Sequence, residues 1–191
     1  MKQLIVATSN PGKLEEMQVY LSGLDWELAL KPKELEVEEN GSSFVENAII
    51  KASEVAKALN QWAIADDSGL TVDALDGAPG IYSARFGNSD QDRIDRLLRE
   101  LGNSKKRTAQ FVCAIALCRP DGSLALQTEG ICVGEILTAE QGEGGFGYDP
   151  IFYVPSAQKT FAEMSPELKN KVSHRGLAFA KLLPKLKDLT S

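Results

Sequence analysis

The sequence is short of histidine, cysteine and positive charge: it has 1 His and 3 Cys, and 21 Lys and Arg stand against 27 Asp and Glu, for a formal net charge of −6. A net negative chain lacks the basic surface needed to bind along a nucleic-acid backbone, so a phosphate-bearing partner should be a small molecule that brings a cation. Cys113, Cys118 and Cys132 lie in apolar, strand-like stretches without the close pairing of zinc ligands or redox motifs. They read as small core residues. His174 is the single histidine, and with no serine–aspartate or cysteine arrangement around it a nucleophilic triad is unsupported. Long apolar runs are missing as well, which argues against a membrane span, and the run Leu4-Ile5-Val6-Ala7 is far too short for a secretory signal. That run is expected to be a first strand, and the cytoplasm is the expected compartment. Repeats, low-complexity segments and obvious linkers are likewise missing.

What is present suffices for a folded core. Of 191 residues, 43% are hydrophobic and 25% charged, which fits one domain or two tightly joined lobes and does not fit disorder. After the first strand, Leu14, Met17, Val19, Tyr20 and Leu21 predict a helix, giving strand, turn, helix. A second helix opens at Ser42-Ser43, with Ser43 and Glu46 in capping-box spacing and an apolar stripe of Val45, Ala48, Ile49, Ala52, Val55, Ala56 and Leu59. Trp62-Ala63-Ile64-Ala65 reads as a buried strand that stops at Asp66-Asp67-Ser68-Gly69, carrying two carboxylates to its end. Residues 89–101 predict a helix with Ile94, Leu97, Leu98 and Leu101 inward and Gly102 as its stop. Residues 107–118 and 123–137 alternate around Pro120-Asp121-Gly122 and predict a long antiparallel hairpin. Ser165-Pro166 starts a short helix, and Ser173 caps a last one with Leu177, Ala178, the Lys181 stem and Leu182 inward, which Pro184 is expected to kink or end. The expected fold is mixed α/β, a curved central sheet with flanking helices.

Four clusters can carry chemistry. In Thr8-Ser9-Asn10-Pro11-Gly12-Lys13 a strand feeds a small-residue turn and a helix N-terminus, where unpaired N–H groups and the helix dipole favour an anion. Lys13 adds a full charge there. It is not a Walker loop, and the segment fits equally well an ordinary turn with Asn10 as N-cap and a solvated Lys13. Asp66 and Asp67, adjacent on a strand, point to opposite faces, and two desolvated carboxylates call for a cation. Mg²⁺ characteristically takes one or two carboxylates plus substrate phosphates. The alternative is that both aspartates merely turn the chain before Gly69. The acidic run Glu36-Val37-Glu38-Glu39 offers a further metal ligand or is simply a solvated loop, while Glu46 is explained by capping and stays outside the metal site.

The third cluster is Gly142-Glu143-Gly144-Gly145-Phe146-Gly147-Tyr148-Asp149-Pro150, whose glycines let backbone approach a ligand and whose Phe146 offers a ring face to a base, or else seeks the core from a flexible loop. The fourth, Lys169-Asn170-Lys171-Val172-Ser173-His174-Arg175, places His174 and Arg175 at a helix start, able to donate to a ligand carbonyl, although a lone His is more often structural.

The order of these blocks is more specific than any one of them: Thr-x-Asn-x-x-Lys, Glu-Asn-Gly with Phe-x-Glu-Asn-Ala, Asp-Asp-Ser-Gly-Leu, Pro-Gly-x-Tyr-Ser-Ala-Arg, Gly-Phe-Gly-Tyr-Asp-Pro and Ser-His-Arg. In that order the chain resembles the inosine triphosphate pyrophosphatase family, enzymes acting on non-standard purine triphosphates, over essentially residues 4–186. The resemblance implies a single pyrophosphatase domain over residues 1–191 with two lobes around a nucleotide cleft. It further implies a homodimeric, Mg²⁺-dependent enzyme that releases a nucleoside monophosphate and pyrophosphate from inosine or xanthosine triphosphate and their deoxy forms. By position it implies that Thr8, Ser9, Asn10, Pro11, Gly12 and Lys13 hold the triphosphate, that Glu39 and Asp67 hold the metal, and that Asp67 also accepts the proton of the attacking water. Ser68, Phe146, Gly147, Tyr148, Asp149, Lys169, His174 and Arg175 complete the nucleotide pocket, with Arg85 reaching the base. Ser9 stands where relatives often carry another residue; being small, it leaves the turn intact.

The implied chemistry is physically coherent: positive charge on the leaving pyrophosphate from Lys13, a carboxylate orienting water in line with the α-phosphorus, and a divalent ion on the phosphates. Hypoxanthine and xanthine offer a 6-oxo acceptor to His174, Arg175 and the glycine-loop N–H groups, whereas adenine's amino group leaves those donors unpaired. Two other readings compete. One is a pyrophosphatase directed at modified pyrimidine nucleotides; the other is a nucleotide-sensing module without turnover, against which the Lys13, Asp67 and Glu39 set speaks.

Overall fold

The N-terminal apolar run forms β1 (Lys2–Val6), which pairs in parallel with β2 (Trp26–Leu30) on one side and with β3 (Trp62–Val72) on the other. The computed structural model describes residues 2–8 and 11–190, without the side chains at 11, 12 and 190. Four further strands follow, β4 (Thr108–Cys118), β5 (Leu124–Ile136), β6 (Phe152–Val154) and β7 (Lys159–Thr160). The described sheet has seven strands in the order β2-β1-β3-β4-β5-β6-β7, parallel around β1 and antiparallel at β5–β6 and β6–β7, so it is mixed and open as expected. The hairpin is where the turn signal put it: Gly122 N donates to Arg119 O and Arg119 N to Ser123 O.

The helices are α1 (Pro11–Tyr20), α2 (Phe44–Leu59), α3 (Asp90–Leu101), α4 (Pro166–Val172) and α5 (His174–Thr190). Their starts follow local capping chemistry. Ser43 Oγ accepts from Glu46 N, Ser89 Oγ from Asp92 N and Ser165 Oγ from Leu168 N, and Gly102 ends α3. Glu46 completes the cap one residue early: its carboxylate accepts from the N–H and hydroxyl of Ser42, each at 2.7 Å. The buried stripe of α2 is Phe44, Asn47, Ala48, Ala52, Val55 and Ala56, with Val45, Ile49 and Leu59 only partly covered.

One expectation fails. β3 does not stop before the aspartates; it runs through Asp66, Asp67, Ser68 and Gly69 to Val72. Asp and Gly are poor strand formers, but pairing in a sheet overrides local propensity. Of the two outcomes expected at Pro184, a kink or an end, the end is excluded, since α5 continues to Thr190. The carbonyl that loses its partner is that of Ala180, and Ala180 is exposed, so water can take the bond. Within α5 the inward residues are Ala178, Phe179, Leu182 and Leu186, while Lys181 is exposed with Nζ donating to Glu129 O.

Contacts divide the chain into two compact units: one holds residues 1–67, 113–130 and 178–191, the other residues 68–112 and 131–177. The first unit's core packs Leu4 and Val6 of β1, Ile64 of β3 and Cys113, Ile115 and Leu117 of β4 against Met17 and Leu21 and against α5. Alternation puts Ile5, Ala63, Ala65, Ala114 and Ala116, all buried, on the opposite face of the sheet, where the small residues of α2 allow close packing beside β1. The second unit's core gathers Leu70, Val72, Ile94, Leu97, Phe111, Ile136, Tyr148, Ile151, Phe152 and Phe161. Burying side chains of this size contributes about 2 kcal/mol each. All three cysteines are buried and outside any disulfide, and burial pushes the Cys118 and Cys132 thiols up to about 11.

Candidate functional site

β3 sorts its two aspartates by strand alternation. Asp66 continues the face of Ile64, toward α1, and Asp67 continues the face of Ala63 and Ala65, toward α2. The parallel register Val6↔Ile64 places the chain leaving β1 beside Asp66. Lys13, on the first turn of α1 one turn before buried Met17, reaches it: Nζ donates to Asp66 Oδ1 at 3.0 Å and Oδ2 at 3.1 Å, with Asp66 nearly fully buried.

On the other face, Asn47 and Lys51 lie one turn apart on α2 and both address Asp67. Asn47 Nδ2 donates to Oδ2 at 3.2 Å and Lys51 Nζ to Oδ1 at 3.2 Å. Lys51 also lies 3.4 Å from Glu39 Oε2, so one ammonium joins the two carboxylates expected at the metal. Burial is the main cause raising the Asp67 carboxyl above the ordinary aspartate range; Lys51 pulls it back, Glu39 adds to the rise and Asn47 opposes it. A pocket of about 340 Å³ is lined by Thr8, Lys13, Lys31, Glu36, Glu39, Lys51 and Asp66. It sits within the usual size range of ligand sites and mixes both signs of charge.

Among the described residues no group of three or more His, Cys, Asp and Glu side chains is gathered as a complete metal cage. The pair Glu39 and Asp67 still fits a hard cation, because Mg²⁺ is typically bound by one or two carboxylates and by substrate phosphates. Glu46 stays apart at the α2 cap, its carboxyl held below the ordinary range by Ser42.

Pro11 and Gly12 belong to the first unit and Ser9 and Asn10 are outside the described residues; the other expected residues lie in the second unit. The segment around 142–149 is tied down by carboxylates. Phe146 N donates to Asp149 Oδ2, and Gly147 N to Asp90 Oδ2 at 2.7 Å. Gly145 has φ +77°, and a Cβ there would run into the Asp149 carboxylate, so the tight approach requires glycine. Phe146 is 59% exposed and Lys169 Nζ lies 4.8 Å from its ring centre, while the same ammonium pairs with Asp149. Asp149 is therefore a buried anchor of this loop. Tyr148 is also inside: its hydroxyl donates to Ser83 O at 2.9 Å and burial pushes its phenol up to about 12. The ring of Tyr148 is core, and its carbonyl accepts from Ile151 N and Phe152 N.

His174 opens α5 with its ring stacked on Phe111 at 4.7 Å and 13°, which fixes the imidazole plane. Ser173 caps that helix through Gly176 N, and Arg175 is half-buried beside it. Ser68 follows Asp67 on β3, half-buried, and Arg85 is exposed at the end of the 3₁₀ segment Gly80–Arg85. Pro11 and Gly12 form the start of α1. The structure thus gathers Thr8, Lys13, Glu39 and Asp67 in one unit, and Phe146 to Asp149 with Lys169 in the other.

Sequence reasoning missed Asn47, Lys51, Asp66 as the partner of Lys13, and Lys31. The α2 residues carried a signal: Asn47 and Lys51 are polar positions at helical spacing beside the buried stripe.

Comparison with known proteins identifies the family and the fold. A match to the Ham1 family spans residues 4–185. A dITP/XTP pyrophosphatase of Nostoc sp. is 68% identical over 190 residues, covering 100% of this chain and 97% of that one. Its counterpart of the same description in Synechocystis sp. is 63% identical, covering 96% and 94%. Among solved structures, a HAM1 protein from Coxiella burnetii superposes with a TM-score of 0.93 at 43% identity, covering 98% of this chain and 100% of that chain. The Staphylococcus aureus Ham1 protein gives 0.91 at 45% identity, covering 98% and 99%. With the match running from the first strand to the last helix, the chain belongs to the Ham1 family.

Proposed function

We propose that this chain hydrolyses non-standard purine nucleoside triphosphates, those of hypoxanthine and xanthine, to the monophosphate and pyrophosphate, with Mg²⁺ as cofactor. The observation that carries the reading is the charged cluster of the first unit. Lys13 with Asp66 on one face of β3 and Glu39 with Lys51 on the other line a pocket edged by three lysines, and Lys51 ties Asp67 to that wall. The relatives' description as dITP/XTP pyrophosphatases supports it.

In this reading Lys13 exchanges Asp66 for the β- and γ-phosphates and stabilises the charge of the leaving pyrophosphate, helped by Thr8 and the N–H groups at the start of α1. Asp67 orients water toward the α-phosphorus and accepts its proton; its raised affinity for a proton suits that role. Charge neutralisation on the phosphate oxygens is the chemistry that a divalent ion held by Glu39 and Asp67 supplies. Phe146 gives the base a ring face. His174 and Arg175, with glycine-loop N–H groups, donate to the 6-oxo group, and Arg85 and Lys169 lie in the same unit.

The two units act as one catalytic domain in this proposal, and the enzyme works as a cytoplasmic homodimer. Support for a second copy comes from β5, whose outward face exposes Ile131 at 41% and Val133 at 56% beside buried alternates. No helix among the described residues is long and apolar enough to cross a membrane. The test is a panel of inosine, xanthosine, adenosine, guanosine and modified pyrimidine triphosphates with and without Mg²⁺. Mg²⁺-dependent pyrophosphate from the first two supports the reading. Preference for a pyrimidine, or tight binding without turnover, overturns it.

A further inference from the structure

Lys51 holds an unusual position for a lysine near a metal pair. Its side chain is only 12% exposed, and Nζ is within reach of Asp67 Oδ1 and Glu39 Oε2 at once. Asn47, one turn earlier on α2, takes the second oxygen of Asp67, so a single helix addresses the whole carboxylate. Charge on Asp67 is opposed by burial and by Glu39, and Lys51 is the charged neighbour that opposes both, with the Asn47 amide adding to it. An ammonium in that place performs the electrostatic task of a bound cation. A divalent ion on the same two carboxylates would face a positive charge a few ångströms away in a partly desolvated site.

We propose that Lys51 is a built-in counter-ion that keeps Glu39 and Asp67 together and excludes a bare divalent ion until nucleotide arrives. The inference rests on the metal pair assigned under the proposed function. Lys51 lines the same pocket as Lys13 and Lys31, so an incoming polyphosphate offers its ammonium a new partner without leaving that wall. Releasing the carboxylates and accepting the phosphates are then one exchange. Metal and nucleotide bind interdependently, each raising the affinity of the other by the same factor. Lys51 is a positioning residue in this scheme: it sets when the ion can bind.

The test uses Mn²⁺ as the probe, titrated into the full chain without nucleotide and followed by the electron paramagnetic resonance signal of free Mn²⁺. Wild type, Lys51→Met, Lys51→Gln, Glu39→Gln and the Lys51→Met/Glu39→Gln double variant are compared. Lys51→Gln removes the charge while keeping a polar N–H donor and guards against a misfolded Lys51→Met, with circular dichroism confirming the fold. Both single Lys51 variants are expected to bind one Mn²⁺ at least about tenfold more tightly than wild type, with the gain lost in the double variant. In thermal melts the metal-free Lys51→Met protein should fall below wild type and recover on adding Mn²⁺, a response that a purely structural lysine would not show. Unchanged or weaker Mn²⁺ binding in folded Lys51→Gln, with binding weakened by Glu39→Gln alone, overturns the role of Lys51 and leaves the metal pair standing. Mn²⁺ binding indifferent to Glu39→Gln in every background overturns the metal pair, and the inference with it.

Discussion

In the first unit opposite charges meet on regular elements: Lys13 of α1 on Asp66, and Lys51 of α2 between Glu39 and the Asp67 of β3. In the second unit the corresponding residues sit on a glycine-rich loop and a helix start, and beside the single ion pair Lys169–Asp149 their contacts are rings and backbone: Phe146 near Lys169, His174 on Phe111, Phe146 N on Asp149. Charge that develops during phosphoryl transfer is best met by fixed charges whose positions cost nothing to organise during the reaction. A flat base asks instead for ring faces and a few N–H donors. Substitutions in the first unit should therefore lower turnover of every nucleotide alike, and those in the second should reorder the nucleotides.

The largest effect is expected for Asp67→Asn, a loss of at least about 10³-fold in kcat on inosine triphosphate, with Lys13→Ala costing about 10²-fold or more and both proteins folded. Steady-state kinetics with xanthosine triphosphate alongside checks that the two substrates fall together; near-normal rates would break the division between units. Next comes His174→Ala, for which the kcat/KM ratio of inosine to adenosine triphosphate should drop by about 10- to 100-fold while kcat changes less. An equal loss on both nucleotides would put His174 with the catalytic group.

Asp149→Ala removes a buried carboxylate from Lys169 and from Phe146 N and should cost about 2 kcal/mol of stability, read as a fall of several degrees in Tm. Weaker base selection should accompany it, because the loop carrying Phe146 loses its anchor. A pH comparison sharpens the picture of Asp67. Its folded carboxyl lies above the unfolded value, so its contribution to stability is complete below the ordinary aspartate pKa of about 3.9 and is lost as pH rises through the higher folded value. In metal-free protein the Tm of wild type relative to Asp67→Asn should therefore decline as pH rises from that point; a difference that grows with pH would reverse the sign. The smallest effect belongs to Glu46→Gln, a slight loss of Tm at neutral pH with turnover unchanged, since the lowered Glu46 carboxyl stabilises above its unfolded pKa and loses that contribution as pH falls. A marked loss of metal affinity there would move the metal site.

What was legible in the sequence was local. Ser43, Ser89 and Ser165 start helices by hydrogen bonds a few residues long, Gly102 ends one, and the Pro120-Asp121-Gly122 turn makes a hairpin with residues on either side. β3 was misread because its continuation past Asp66 depends on neighbouring strands, and the sequence left the end of α5 open at Pro184 because its tolerance depends on the exposure of Ala180. Within the site, strand alternation correctly separated the faces of Asp66 and Asp67. Their partners were invisible, since Lys13 and Lys51 come from helices distant in sequence that only the folded sheet brings near. Tyr148, placed in the nucleotide pocket by the resemblance alone, has its hydroxyl satisfied by Ser83 O inside the core, a contact between segments distant in sequence.

The central claim is that water, activated at Asp67, attacks the α-phosphorus while Lys13 stabilises the departing pyrophosphate. Hydrolysis of inosine triphosphate in ¹⁸O-water with Mg²⁺, followed by mass spectrometry of both products, tests it directly. One ¹⁸O in the monophosphate and none in the pyrophosphate is the expected result. Label in the pyrophosphate, or release of orthophosphate alone, would contradict it.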